Sequence, residues 1–166
     1  DDNYIYFELK NRKLKINKND SEDIWYWYWS TGRGKLKNPY WRKSKLSSDK
    51  DKYFRININR KLVRLHRVNY FAHNQSWNIN DNSYKNIIDH IDGNPLNNHI
   101  SNLRVGTGGL NQQNKKNVKG YCWRKKIKKY EAYIKINRKS IYLGCYEKEE
   151  DARNAYLEAK KIYHKW

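Results

Sequence analysis

An acid and an imidazole stand side by side at the end of a short apolar run, within Ile87–Arg104. Two isoleucines lead into Asp89 and His90, and turn-forming residues follow at once, at 92–95. Hydrolysis of a phosphodiester needs a positioned water, a base to take its proton, and positive charge at the phosphate and the leaving oxygen. A strand tip with a carboxylate and an imidazole could hold a hard metal ion and that base together. A solvated strand end is the simpler alternative.

The elements that must position these two side chains are predicted as strand, loop, strand and helix. Asp89 and His90 lie on the first strand, where neighbouring side chains point to opposite faces unless the strand end twists. Thr107 is an acceptable N-cap for the helix, which carries Asn111. Two glycines at its start weaken the helix prediction by roughly 1 kcal/mol each. We interpret Asp92 in the loop as a turn former.

Upstream of this stretch, the alternation of apolar and polar residues predicts two hairpins, and apolar residues at helical spacing predict a short helix. The first hairpin spans residues 4–16, and the second spans residues 53–66 and carries Arg55 and Arg64. The helix follows at 66–73, and its two histidines, His66 and His73, are predicted to be structural.

Between the two hairpins, tryptophans recur with a period of two at Trp25, Trp27 and Trp29. We expect them to fill the core of a small sheet with Tyr26 and Tyr28 facing out. The alternative is that they stack on nucleic acid. Residues 30–52 are basic and rich in Gly and Ser, which predicts a long surface loop.

A polar, basic linker at 114–119 precedes a second pattern, three strands and a helix. The strands are expected at 121–124, 130–136 and 140–144, and the helix, with its apolar stripe, at 149–163. The helix covers one face of the predicted sheet. The face left exposed would carry Arg124, Tyr133, Lys135 and Tyr142.

Composition points to a polyanionic partner. Lys and Arg number 36 against 17 Asp and Glu, which gives a net charge of +19 spread along the whole chain. Neutralising phosphates releases counterions, so nucleic acid is the simplest partner; a compositional bias toward Lys and Asn is the plain alternative. No apolar run approaches the ~20 residues that span a bilayer. Cys122 and Cys145 lack CxxC partners, which excludes a cysteine zinc site and fits a reducing intracellular compartment.

The motif D-H-x-D-G-x-P-x-N-N-x-x-x-N-L-R, followed by Thr and then Asn, resembles the HNH homing endonucleases of phages and large viruses. The resemblance covers about residues 50–117 and implies a ββα-metal core. It implies that His90 is the general base, that Asp89 and Asn111 are metal ligands, and that Asn102 braces the loop. Asn114 is the alternative second ligand. The implied cofactor is a divalent metal, Mg²⁺ with Mn²⁺ as the alternative.

Residues 118–163 resemble the ethylene-response-factor (APETALA-two) DNA-binding domain. The resemblance rests on G-x-x-W-R at 120–124, the Tyr-Leu-Gly run at 142–144 and the E-E-x-A-x-x-A-Y helix from Glu149. It implies that the exposed sheet face reads a DNA groove. Cys122 and Ser140 replace arginines that are usual in that family, so base preference is not carried over. A domain that makes only phosphate contacts is the alternative.

The sequence therefore predicts an α+β protein with N-terminal hairpins and an HNH core in residues 1–117 and a DNA-binding domain in residues 118–166. We expect a metal-dependent endonuclease acting on double-stranded DNA, with no membrane partner and no small-molecule cofactor. A monomer is expected, with a dimer as the alternative, acting inside the host cell of a phage or virus. The competing functions are a sequence-specific DNA-binding regulator on an inactive HNH scaffold and, third, an RNA-binding module.

Overall fold

The computed structural model describes residues 1–28, 39–48, 53–115, 118–136 and 139–164. These residues form two compact units, 1–111 and 112–166, which are described separately. Both units combine antiparallel sheets with helices, so the predicted α+β class is confirmed. No helix in the described part of the chain is long and apolar enough to cross a membrane.

The first unit begins with a four-stranded antiparallel sheet in chain order. Its strands are β1 (Tyr4–Glu8), β2 (Lys13–Asn17), β3 (Ile24–Tyr28) and β4 (Tyr40–Lys43). The predicted first hairpin is present, and Lys10 and Asn11 close it with φ angles of 53° and 57°. Two positive φ angles are typical of the tight turn whose twist matches that of the strands. Within the predicted loop 30–52, residues 40–43 and 46–48 are strands, so that prediction was wrong there; residues 29–38 and 49–52 lie outside the described residues.

The described tryptophans of β3 lie on the outer face of this sheet, contrary to the prediction that they fill the core. Ile24 is fully buried, and Tyr26 packs against the same core. Trp25 and Trp27 alternate with these two residues and therefore point away from it. Ile24 was the missed signal, because an isoleucine belongs in the core more strongly than either aromatic residue does. Trp29 lies outside the described residues.

A three-stranded sheet and a helix complete the core of this unit. They are β5 (Leu46–Ser48), β6 (Phe54–Ile58), β7 (Lys61–Arg64) and α1 (Leu65–His73). The second hairpin and the helix are present as predicted, and Asn59 and Arg60 form the hairpin turn. One apolar cluster joins both sheets to α1. Its buried members are Phe7, Leu9, Leu14, Ile16, Ile24, Ile56, Ile58, Leu65, Val68, Ala72 and Ile79.

The predicted strand, loop, strand and helix follow α1. They are β8 (Ile87–His90), a loop ending in a 3₁₀ turn (Ile100–Asn102), β9 (Leu103–Gly106) and α2 (Gly108–Gln113). The two strands pair antiparallel, with Asp89 opposite Arg104. Tyr84 explains the glycine at the start of α2, because a side-chain carbon on Gly108 would lie 2.1 Å from its ring.

The second unit is a three-stranded antiparallel sheet with a helix, as predicted. Its elements are β10 (Tyr121–Arg124), β11 (Lys129–Ile136), β12 (Lys139–Tyr146) and α3 (Glu149–Tyr163). Ala132 and Ile134 of β11 are buried, as are Tyr156 and Ala159 of α3. Glu131 and Tyr133 alternate with the buried residues and point to the other face. The separate activities predicted for the two domains stay predictions.

Candidate active site

Asp89 is a buried carboxylate held by a guanidinium across the hairpin. The residue is 5% exposed, and its Oδ2 accepts from Nε of Arg104 at 3.2 Å and from Nη2 at 2.9 Å. The antiparallel register of β8 and β9 dictates the pair, because directly opposite side chains lie on the same face. A charge buried this deeply needs such a partner. The pairing of Arg104 with Asp89 was not predicted from the sequence.

His90 is buried beside Asp89 and is anchored through one ring nitrogen. Its Nε2 lies 3.0 Å from Oδ1 of Asn98. The amide nitrogen of Asn98 donates to the carbonyl of Leu96 at 3.1 Å, which fixes the orientation of the amide. An amide oxygen only accepts hydrogen bonds, so Nε2 of the neutral imidazole carries the proton and Nδ1 keeps its lone pair. His90 is thereby held in the tautomer that leaves one nitrogen able to take a proton.

Asn98 is in turn held by α1. It is 2% exposed, and its backbone carbonyl accepts from the side-chain amide of Asn69 at 2.6 Å. Asn69 lies in the middle of α1 and is itself 1% exposed. Sequence reasoning missed both residues, because nothing in an Asn-rich loop distinguishes the one asparagine that turns inward. The result is a continuous connection from the core helix to the imidazole of His90.

A second histidine packs against His90. The rings of His66 and His90 lie 5.1 Å apart, edge to face, and Tyr53 completes the cluster at 5.4 Å from His66. Burial, assisted by the neighbouring charges of His90, Arg64 and Arg67, lowers the pKa of His66 to about 3. His66 is therefore uncharged at pH 7, and its ring packs against the ring of His90. The prediction that it is only structural did not anticipate this contact.

Asn102 ties the two ends of the loop together. Its side-chain amide donates to Oδ1 of Asp92 at 2.9 Å and to the carbonyl of Asn97 at 2.8 Å, and its Oδ1 accepts from the backbone of Asp92 at 3.0 Å. Asp92 also accepts from the backbone of Asn94, as a turn former does. These are the contacts of a loop brace, and the residue that contacts His90 directly is Asn98.

This geometry coincides with a family match. Residues 64–113 match the sequence profile of a family described as HNH endonuclease. Residues 64–113 are an HNH endonuclease domain. The matched segment contains α1, β8, the loop, β9 and α2, and so every residue of the cluster described above except Tyr53. No curated protein and no solved structure matches the chain.

The HNH domain contributes to a polar cleft of about 550 Å³ within the first unit. Asn111 of α2 lines this cleft together with His66 and with Ile88, the neighbour of Asp89. Positive side chains also line it, namely Lys10, Arg64 and Arg67. The predicted ligand Asn111 thus lies in the same compact unit as Asp89, whereas Asn114 falls in the second unit.

The oxygen donors of the HNH domain suit a hard cation. Among the described residues, no three His, Cys, Asp or Glu side chains cluster as a metal site. The carboxylate of Asp89 and the amide oxygen of Asn111 are ligand types that Mg²⁺ accepts, and Mg²⁺ commonly takes one or two protein ligands and keeps several waters. The donor chemistry therefore fits such an ion, although Arg104 already contacts the carboxylate.

The predicted DNA contacts of the first unit lie at the start of the HNH domain, of which Arg64 is the first residue, and just before it. Arg55 and Arg64 are direct cross-strand partners on β6 and β7. The guanidinium of Arg64 lies 4.6 Å from the ring centroid of Tyr53, which itself packs on the rings of His66 and His90. These two arginines therefore lie near the histidine cluster, where a phosphate backbone would need positive charge.

The structure brings three of the four predicted contacts of the second unit together, two of them on the carboxylate of Glu131 and the third against the ring of Tyr133. Glu131 accepts from Nε of Arg124 at 2.5 Å and from the hydroxyl of Tyr133 at 2.6 Å. The rings of Tyr133 and Tyr142 lie 5.3 Å apart, and the fourth residue, Lys135, is exposed. Glu131 offsets part of the positive charge of this face, which composition alone did not reveal.

Proposed function

We propose that the chain is a metal-dependent DNA endonuclease of the homing type, acting inside the host cell of a phage or virus. The observation that carries the proposal is the anchored imidazole. Within an HNH endonuclease domain, His90 is buried beside a carboxylate and is held by Asn98 so that Nδ1 is the nitrogen able to accept a proton. A solvated strand end, the simpler alternative, would not bury Asp89 and His90 to 5% and 6% exposure.

His90 is the proposed general base. Its Nδ1 takes a proton from a water whose oxygen attacks the phosphorus, and the bond from phosphorus to the leaving 3′ oxygen breaks. Asn98 keeps the ring of His90 from rotating, and the ring of His66 packs against it. Because the pKa of His66 is about 3, His66 does not take the proton in place of His90. Asn102 holds the loop on which Asn98 stands. These residues thus orient the proposed base toward the water, and correct orientation lowers the free-energy barrier of such a reaction.

Asp89 and Asn111 are the proposed ligands of the divalent ion, Mg²⁺ with Mn²⁺ as the alternative. A bound ion of this kind would supply positive charge at the phosphate and at the leaving oxygen. Arg104 keeps Asp89 oriented toward its own side of the hairpin. We propose that the ion shares the carboxylate of Asp89 with the guanidinium of Arg104.

Double-stranded DNA is the proposed substrate. A net charge of +19 supports a polyanion, and Arg55 and Arg64 offer cations beside the histidine cluster. In the second unit, Arg124, Tyr133, Lys135 and Tyr142 are the proposed groove-reading residues, and the exposed sheet face supports this role. A monomer holds one HNH domain and is therefore expected to nick one strand.

One observation favours a second function, a sequence-specific DNA-binding regulator. The guanidinium of Arg104 already contacts the carboxylate that would hold the ion. If that contact excludes the ion, the domain binds DNA without cutting it.

Supercoiled plasmid separates the two functions. The endonuclease converts it to the relaxed form in Mg²⁺ or Mn²⁺ and leaves it intact in EDTA, whereas the regulator retards it in a gel without relaxing it in either buffer. Isothermal titration of the protein with Mn²⁺ adds a readout that does not depend on cleavage. Binding that is lost in Asp89→Asn supports the endonuclease, and no binding in the wild type supports the regulator.

A further inference from the structure

The outer face of the first sheet carries an alternating row of aromatic and basic side chains. One row crosses all four strands, from Tyr6 of β1 through Lys15 and Trp25 to Lys43 of β4. Directly opposite residues of an antiparallel sheet lie on one face, so these four side chains form a continuous line. The opposite face of the sheet faces the apolar core. Packing against the core accounts for the inner face only. Small polar residues would suffice on the outer face, so its row of large aromatic rings needs another explanation.

Aromatic rings of this row and of the two neighbouring rows surround a lysine. The ammonium of Lys15 lies 4.1 Å from the ring centroid of Tyr4, 5.3 Å from that of Trp41 and 5.7 Å from that of Trp25. Trp27 lies next to Trp41 at a ring distance of 5.2 Å. We call Tyr4, Tyr6, Lys15, Trp25, Trp27, Trp41 and Lys43 the aromatic face. Tyr6 is 46% exposed and the side chain of Lys43 is 56% exposed, so solvent reaches both ends of the row.

Two acids lie at the edge of the aromatic face: Glu8 of β1, which is directly opposite Lys13 of β2, and Asp23, which accepts several bonds. Asp23 accepts from the hydroxyl of Tyr4 at 2.5 Å and from the indole nitrogen of Trp25 at 2.9 Å, and it pairs with Lys43 at 3.0 Å. The polar edge of Trp25 is therefore fixed against the protein, which orients the ring. The aromatic face combines two lysines with five aromatic rings, the carboxylate of Asp23 is satisfied, and Glu8 at the edge is offset by Lys13 opposite it. The face is therefore complementary to a ligand that has both phosphates and flat rings.

We propose that the aromatic face binds single-stranded DNA. Lysines beside rings attract the backbone phosphates, and each ring offers a surface on which an unpaired base stacks. A duplex hides the faces of its bases in its own stack, so it cannot use the rings in this way. The choice of DNA over RNA rests on the proposed function of the HNH domain in the same compact unit. The surface would hold a DNA strand that is locally unpaired.

Binding can be measured without cleavage. Fluorescence anisotropy of the full chain carrying His90→Ala, in EDTA, would compare a labelled thymidine strand of about 12 nucleotides with its duplex and with the equivalent RNA strand. We expect Tyr6→Ala and Lys15→Ala each to weaken binding of the single strand about tenfold and binding of the duplex by about twofold or less. Lys18→Ala, an exposed lysine in the turn after β2, removes the same charge and is the matched control; it should change both affinities by about twofold or less.

A photo-crosslinking readout keeps the proposal testable if a variant does not fold. The unmodified protein is irradiated with the same strand carrying 5-iodouracil, and crosslinked peptides are identified by mass spectrometry. Crosslinks within residues 4–8, 24–28 and 40–43 are the expected result. Crosslinks confined to other segments, equal losses for single strand and duplex, or equal affinity for RNA would each overturn the proposal. These binding outcomes do not depend on cleavage, so a failure of this proposal is distinguishable from a failure of the proposed nuclease activity.

Discussion

At the scale of single residues, the candidate site depends on asparagines that turn inward from a polar loop. Asp89 and His90 were predicted as site residues from their types, because a carboxylate beside an imidazole can supply a metal ligand and a general base together. Asn98 could not be predicted, since it is one of several asparagines in the loop and only the fold decides which is buried. The same holds for Asn69, which appears in the sequence as an ordinary polar position of α1.

Asn98 is a positioning residue, and its removal should slow cleavage without weakening DNA binding. We expect Asn98→Ala to lower kcat by about tenfold to a hundredfold while KM stays within about twofold, because a misplaced base costs rate and leaves substrate contacts intact. Steady-state cleavage of a labelled duplex measures both constants. Asn98→Asp keeps an accepting oxygen for Nε2 of His90 and should retain more activity than the alanine variant. Equal rates for wild type and Asn98→Ala would contradict this role.

His66 makes stability depend on pH. Its folded pKa is about 3, below the ordinary value of 6.5, because burial and nearby charges disfavour the imidazolium. The unfolded chain therefore binds the extra proton, so the stability that His66 contributes is complete above pH 6.5 and is lost as pH falls toward 3. The slope is at most about 1.4 kcal/mol per pH unit.

Urea denaturation at pH 7.5 and at pH 5 measures this slope. His66→Gln, which cannot titrate, should flatten the dependence relative to the wild type. Because acids elsewhere titrate in both proteins, the difference between the two slopes is the informative quantity. Identical slopes would show that the pKa of His66 is not depressed in the folded state.

At the scale of elements, the periodicity of the sequence predicted most strands and helices. It did not predict β4 and β5, nor which face of β3 points to the core. Both early hairpins and the strands of the second unit follow from alternation and turn residues, and α1 and α3 follow from apolar residues at helical spacing. β4 and β5 were missed because Gly, Lys and Ser dominate the surrounding segment. The orientation of β3 was predicted the wrong way round, since Trp and Tyr both suit either face of a sheet and only Ile24 distinguishes them.

The loop between β8 and β9 is held by Asn102, and this can be measured as stability. Its side chain makes three hydrogen bonds, two of them to Asp92 and one to Asn97. At about 1 kcal/mol net for each bond, Asn102→Ala should lower the free energy of unfolding by roughly 2–3 kcal/mol. Asn94→Ala, which removes an exposed side chain from the same loop, is the control and should cost well under half as much. A similar loss in both variants would show that Asn102 is no special brace.

At the scale of the whole molecule, the proposed binding of DNA depends on the net charge and on where the charged side chains lie. The net charge of +19 predicts affinity for phosphates from the sequence alone. Which positive side chains face DNA depends on the fold, because ion pairs such as Arg124 with Glu131 offset part of that charge. Composition therefore predicts the class of partner, and only placement of side chains identifies a surface.

Lys135 provides a test of the second unit. If its ammonium contacts a phosphate, Lys135→Ala should reduce the slope of log affinity against log salt by about 1. Lys161→Ala, an exposed lysine of α3 paired with Glu158, is the control and should leave the slope unchanged. Duplex affinities across a salt series supply the slopes. A slope that Lys135→Ala does not alter removes this residue from the interface.

The central claim is that the imidazole of His90 performs the chemistry of an HNH endonuclease. The most direct measurement is the rate at which purified wild type, His90→Ala and the control His73→Gln convert supercoiled plasmid to the relaxed form in Mg²⁺. His73 is a histidine of α1 outside the ring cluster. Loss of a general base predicts that His90→Ala is slower by at least about a hundredfold, while His73→Gln cleaves at the wild-type rate. Cleavage by His90→Ala at the wild-type rate would contradict the claim.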